Sequence, residues 1–415
     1  MERKYRNVID SKESIHPARV LFPLGLGTAL SLMGDATLYT VLPTHTAEAG
    51  IALGAVGILL GANRAVRLLL NGLAGLAYDR WRRRWLFVPA LFVGALSTAL
   101  YAVTRGFWPL LAGRLLWGLA WSGIWVGGAT IVLDVTTDQD RGRWTGLYQT
   151  WFFLGAALGA FGGGLLTDWL GYSITMGIGA TVTAVGGLTA MLLLPETRAA
   201  RPNDQADDLK ENSPRWHANE GLWLATSLQG INRFVISGVL SATMGLLVQE
   251  QLQSNTLPLG VATLTGTLMA GRTLLSTVAA PLAGTLSDKL KSRWKVILGG
   301  LVIGIISMAL VGLNTPSAIL AGILSGAVAS GSVQALVTAL TGDLVNRAQR
   351  GRAIGLLHTA GDLGSAIGPP VAYALLPWMQ LSGIYWICAG LFAGGTILTL
   401  GFRARERQTL RRPTN

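Results

Sequence analysis

The chain has 415 residues and a mass of 43.8 kDa; 51% of its residues are hydrophobic and only 13% charged, with 54 glycines and a mean hydropathy of +0.46. So little charge excludes a disordered chain or a coiled coil, and the single cysteine, Cys388, excludes a disulfide scaffold and any cysteine-based zinc cluster. The net charge of +12, from 33 Lys and Arg against 21 Asp and Glu, would fit a nucleic-acid partner only if it formed one continuous basic patch.

Twelve apolar stretches follow one another, each near or above the roughly 20 residues that cross a bilayer as a helix. They fall at about 20–42, 49–77, 86–104, 108–133, 144–167, 173–194, 221–248, 257–286, 295–313, 316–341, 353–377 and 382–402. At helical spacing, Thr28, Ser31, Asp35 and Tyr39 share one face of the first, and Arg64, Arg67 and Asn71 one face of the second. The fourth carries Arg114, Trp117, Trp121 and Trp125 in a stripe, and the fifth carries Trp144 and Trp151. A polar stretch of mixed charge, at about 195–220, reads as a linker between a first half (1–194) and a second (221–402), followed by a tail from 403 to 415. In the second half, Gln229 and Arg233 lie on the seventh stretch, Arg272 and Ser276 on the eighth, and His358, Asp362 and Ser365 on the eleventh.

The basic residues sort by connection. Twenty-seven of the 33 lie in the N-terminus, the tail and every second connection; one, Arg105, lies in the six connections between; five lie inside spans. This is the positive-inside pattern, and it places both termini in the cytoplasm of a multi-pass membrane protein, with the bacterial inner (plasma) membrane as the expected setting. A cleaved signal peptide does not fit the first span, which is too long for a signal core and carries Asp35. Spread as short collars at helix ends, the basic residues leave no nucleic-acid surface.

At an offset of 209 residues the chain aligns with itself. Gly75, Asp79, Asp134, Arg141, Gly142, Arg143, Gly146, Gly155 and Gly159 fall on Gly284, Asp288, Asp343, Arg350, Gly351, Arg352, Gly355, Gly364 and Gly368. Two six-span halves in parallel orientation follow.

Here the sequence resembles the major facilitator superfamily over essentially the whole chain. The segment from Gly75 through Asp79, Arg80 and Arg82 to Arg84 resembles that family's signature G-x-x-x-D-R-x-G-R-R, with Arg82 in place of the second glycine; a degenerate second copy runs from Gly284 to Arg293. Arg141-Gly142-Arg143 and its repeat match the companion motif, Arg114 with Gly118 resembles the fourth-span motif, and Pro195-Glu196-Thr197 resembles the usual end of the sixth span. The resemblance implies an all-α membrane protein of two six-helix bundles, a transporter and not an enzyme. Gly155 to Gly164 resembles the family's antiporter signature, with Ala160 where proline is expected, and Gly118 to Val126 resembles glycolipid-flipping members. Close helix packing would give such glycine pairs as well.

Ionisable groups inside a membrane mark function. Asp35 and Asp362 are candidates for proton coupling, against the alternative of permanent Asp–Arg pairs that only lock helices. Arg114 is the expected partner of Asp35; Arg64, Arg67 and Arg272 are all open to Asp362. Five arginines against two aspartates leave a surplus of three positive charges, which favours an anionic group in the substrate. Arg64, Arg67, Arg114, Arg233, Arg272, Tyr39, Trp121 and Trp125 are the expected substrate contacts, with packing as the alternative for the tryptophans. Asp79, Arg80, Arg84, Asp134, Arg143, Asp288, Asp343 and Arg352 are the expected gating residues, because carboxylates and arginines at helix ends can close in one state and part in another. His358 is expected to be a hydrogen-bonded helix residue.

The function expected is alternating-access transport, as proton-coupled export of an amphipathic, anionic or lipid-linked compound by a monomer without cofactors or metals. A multidrug efflux antiporter and a non-transporting sensor or scaffold are the alternatives. An intramembrane enzyme is disfavoured, since the sequence holds no H-E-x-x-H, G-x-S-x-G or Walker loop.

Overall fold

A computed structural model describes residues 16–137, 139–197, 219–252, 259–346 and 349–411. The linker at 198–218, the basic residues at 1–15, Arg347 and residues 412–415 lie outside the described residues. Every regular element described is helical. The long helices are α1 (Pro17–Val41), α2 (Leu53–Arg80), α3 (Arg83–Val103), α4 (Phe107–Asp134), α5 (Arg141–Leu170), α6 (Tyr172–Leu193), α7 (Glu220–Leu252), α8 (Val261–Lys289), α9 (Arg293–Gly312), α10 (Pro316–Leu344), α11 (Arg350–Leu375) and α12 (Leu381–Arg411), with one short turn of helix at Thr46–Ala49. The last of these runs well past 402, so the expected tail is helical over its described part.

Ten of the helices are long and apolar enough to cross a membrane; α8 and α11 are not among them. Their composition explains this. Helix α8 is rich in Thr, Ser and Gly, and α11 contains His358, Asp362 and two prolines, Pro369 and Pro370. Both are wedged between other helices: α8 packs on α5 and α10, and α11 on α2 and α7, so polar faces meet protein in place of lipid.

Within the first half α1 packs on α5 and α6, and α4 on α2 and α3; within the second, α10 packs on α7, α8 and α9. The repeated glycines set these distances. Gly155, Gly159 and Gly163 form one face of α5 and seat α1 at Ala29, Met33 and Thr37, while Gly364 and Gly368 of α11 seat α7 at Gly230, Phe234 and Gly238. The antiporter-like glycines are thus accounted for by close packing at equivalent places in the two halves. A single glycine, Gly171 with φ 81°, joins α5 to α6; a side chain there would be strained. In the turn between α8 and α9 one residue more than between α2 and α3 is absorbed by Lys291 in the left-handed region, at φ 46°.

The halves meet through α2 on α11 and α5 on α8, at the end of the molecule away from the termini. There Gly57 and Gly61 lie against the Pro369 and Ala366 carbonyls, and Gly164 and Gly266 against the Ala262 and Ala160 carbonyls. Towards the termini, Gly72 and Gly75 of α2, Gly284 of α8 and Gly355 of α11 face open space.

Candidate functional site

Tyr39 organises the first-half side of the site. Its hydroxyl donates to the Leu60 carbonyl at 2.7 Å, and its ring is flanked by the Arg64 and Arg114 guanidiniums at 5.2 and 5.1 Å. Arg114 is wholly buried. It donates to Asp35 Oδ1 at 2.5 Å and to the Leu59 carbonyl at 3.0 Å, so α4 is tied to α1 and α2 inside one half. Arg114, one of the expected substrate contacts, has no exposed surface in this structure, and its charge is paired with Asp35.

Across the interface, α7 changes its winding. Residues Arg233–Leu240 form a π-helical segment, and two of its carbonyls accept bonds from arginines of other helices. The Ile236 carbonyl accepts from Arg272 Nη1 and from the Ser241 hydroxyl, both at 2.9 Å, and Arg272 Nη2 donates to Ser241 Oγ at 2.9 Å. Arg64, from the other half, donates to the Ser237 carbonyl at 2.9 Å and the Ser365 carbonyl at 3.3 Å. Among the described residues Arg233 reaches the Ser237 hydroxyl alone, at 3.3 Å, and its Nε is buried without a partner there. Arg272 was expected to share a polar face with Ser276; it turns to α7, and Ser276 packs on Gly331 of α10.

The remaining pair bridges the halves. Arg67 Nη2 donates to both oxygens of Asp362 at 3.1 Å, and Asn71 adds a longer contact at 3.4 Å. Of the three arginines open to Asp362 from sequence, Arg67 is therefore the partner. His358 lies one turn away on α11 and is exposed.

The tryptophans form a stack. Trp117, Trp121 and Trp125 follow one another with ring centroids 6.0 and 5.9 Å apart, and Phe152 of α5 closes on the last two. Trp117 and Trp121 are buried, and Trp125 is half-buried.

With this geometry in view, the comparisons with known proteins are decisive for the family. The family model described as Major Facilitator Superfamily matches residues 24–218 and 222–415. The chain belongs to the major facilitator superfamily. It is 27% identical over 230 residues to the class E tetracycline resistance protein of Escherichia coli, covering 54% of this chain and 56% of that one. It is 32% identical over 130 residues to the "Probable 4-methylmuconolactone transporter" of Cupriavidus pinatubonensis, 31% of this chain and 30% of that one. The chain thus spans between about a third and just over half the length of these curated relatives. A solved bacterial homolog of the human lysosomal transporter Spinster, in an inward-facing, occupied conformation, superposes with a TM-score of 0.73 at 15% identity over 93% of this chain and 94% of that one.

The superfamily signature region forms a network of its own. Arg83, which opens α3, donates from Nε to Asp134 Oδ2 at 2.7 Å, and Thr197 adds a bond to the same oxygen at 3.4 Å. Glu196 accepts from the Arg83 and Arg84 backbone N–H groups at 2.9 and 3.2 Å, capping α3. Arg84 itself reaches the Met191 carbonyl. In the second half Arg293 pairs with Asp343, and both line a pocket with Asp288, Lys291 and Arg403. Asp79 and Arg80 occupy the last turn of α2, Arg143 lies over the Trp144 ring at 5.4 Å, and Arg352 is exposed in the first turn of α11. Ahead of α5, the Thr137 hydroxyl and N–H hold the Asp140 carboxyl below its usual range.

Two residues outside the expected set matter here. At the repeat offset Arg84 aligns with Arg293, yet the extra residue at Lys291 shifts the register, so that the arginines opening α3 and α9 and paired with Asp134 and Asp343 are Arg83 and Arg293. Aligning helix starts would have found Arg83. Asp168, at the end of α5, bonds the first turn of α8 in the other half, a long-range contact with no local sequence pattern.

Proposed function

We propose that the protein is an alternating-access, proton-coupled membrane transporter whose substrate carries an anionic group. One observation supports this above the others. Arg114 and Arg67 each hold an aspartate, but Arg64, Arg233 and Arg272 have only neutral partners among the described residues, and all three surround the same π-helical segment of α7. Carbonyls and hydroxyls satisfy their hydrogen bonds and leave their charge uncancelled. Three uncompensated guanidiniums between the halves attract an anion and repel a cationic drug. Trp125 and Phe152, in contact with each other in the first half, would suit an apolar body, so an amphipathic organic acid or a lipid-linked anion fits best. The names of the curated relatives, which mention a lactone and tetracycline, are in keeping with small organic cargo.

Proton coupling is assigned to Asp362. It lies midway along α11, between the packed end and the open end, where access from the two sides would alternate. Asp362 and the anion compete for Arg67, so a proton carried by Asp362 frees the arginine for the anion, and by linkage the two bindings assist each other. Proton and anion reinforce each other, so they travel together. Exchange, expected from the glycine signature, would require the anion to displace the proton, and that signature is already explained by packing. With the termini assigned to the cytoplasm by the distribution of basic residues, the open end faces inward.

Thermal unfolding in detergent with aryl carboxylates, organic phosphates and tetraphenylphosphonium tests the charge reading. Anions should stabilise the protein and lose most of that effect in Arg233→Gln; stabilisation by the cation alone would refute it. In proteoliposomes, an acid exterior should then drive uptake of the stabilising anion, whereas uptake driven by an acid interior would establish exchange.

A further inference from the structure

The end away from the termini is held shut by a polar contact as well as by packed glycines. Asp168, in the last turn of α5, accepts hydrogen bonds from the Thr263 backbone N–H at 2.7 Å, the Thr263 hydroxyl at 2.5 Å and the Ala262 N–H at 3.4 Å. Helix α5 belongs to the first half and α8 to the second. A carboxylate of one half therefore caps a 29-residue helix of the other. Helix α8 has no cap of its own: the residue before it is Gly260, and a Cβ there would collide with the Asp168 carboxyl. The first turn of a helix presents unbonded N–H groups and the positive end of its dipole, so a carboxylate is the group best suited to the place.

The contact is one-sided. At the repeat offset Asp168 corresponds to Pro377, and the equivalent crossing of α2 on α11 is packed by Gly57 and Gly61 with no carboxylate at the α2 N-terminus, where Ala52 makes no side-chain cap. Among the described residues of this end, the α5–α8 crossing adds a carboxylate cap to its packed glycines, whereas the charged tie of α2 to α11, Arg67 with Asp362, lies further along both helices.

We propose that Asp168 is a latch between the halves, a gating residue that favours closure of this end by capping α8 and that must leave Thr263 whenever this end opens. The inference rests on the alternating-access reading above. Rocking the halves apart at this end cannot keep the cap, because its donor and acceptor belong to different bodies. Water replaces the carboxylate in the open state, so the latch biases the equilibrium without forbidding opening. Losing a helix N-cap corresponds to about a fivefold change in such a ratio.

The test uses the full chain with Cys388→Ser in lipid nanodiscs, spin-labelled at Val103→Cys and Trp378→Cys, exposed sites at this end of the first and second halves. Asp168→Ala should raise the ratio of long to short distances about fivefold, on the scale of a lost cap, with Asp168→Asn and Thr263→Val giving smaller shifts in the same direction. Gly266→Leu serves as a wedge, since its side chain must push against the Ala160 carbonyl across the same crossing. A distribution moved by Gly266→Leu and unmoved by both Asp168 variants overturns the latch while leaving alternating access intact. A distribution that none of the variants moves overturns both.

Discussion

Two buried Arg–Asp pairs, Asp35 with Arg114 and Asp362 with Arg67, use the same chemistry in different mechanical settings. The first joins α1 to α4 inside one half; Arg114 is fully buried and also holds the Leu59 carbonyl and the Tyr39 ring. The second joins α2 of one half to α11 of the other, with side chains 15% and 9% exposed. Rigid-body motion preserves distances within a half and changes those between halves. Under the alternating-access proposal the first pair acts as a lock and the second as a switch, and no property of an isolated aspartate would tell them apart. What decides is which two bodies the partners belong to.

The largest expected effect is on the lock. Asp35→Ala strands a guanidinium that cannot lose its proton in the middle of the first half, at a cost of about 3–5 kcal/mol. Chemical unfolding in micelles should show that loss. A stability close to that of the parent protein would mean that Arg114 is not held by Asp35, and the lock would have to be abandoned.

Next comes the switch. Asp362→Asn keeps the side-chain volume and an oxygen that can accept from Arg67, so the protein should fold and still bind anions. What it should lose is the dependence of uptake on an imposed proton gradient. Proton-driven uptake that survives in Asp362→Asn would remove this residue from the coupling.

Much of this arrangement was legible in the sequence, and its gaps have physical causes. The helices were marked by their apolar stretches and by alternating basic collars, since a membrane imposes both, although α8 and α11 fall short of a span's apolarity. The Asp35–Arg114 pair followed from equal depth on neighbouring spans. The partner of Asp362 did not, because Arg64, Arg67 and Arg272 lie on facing helices at similar depth and only packing chooses between them. Nothing in Arg233–Leu240 marks a π-helical winding; it is revealed by the arginines that take up the Ile236 and Ser237 carbonyls. Asp168 was passed over because it stands just past an apolar stretch, and its partner lies 95 residues away on the other half.

The smallest expected effect is the sharpest test of the comparison. In the double variant Asp35→Asn with Arg114→Gln, both charges leave together, so neither partner is stranded, and two amides can still bond across the α1–α4 contact. Replacing a whole buried ion pair by neutral groups is often close to neutral, so stability should fall by no more than about 1–2 kcal/mol. Proton-driven uptake should persist, because a pair confined to one half has no part in relaying the motion of the halves. If coupling disappears in this variant and survives in Asp362→Asn, the assignments are reversed: Asp35 carries the proton, and the bridge between α2 and α11 only holds the halves in register.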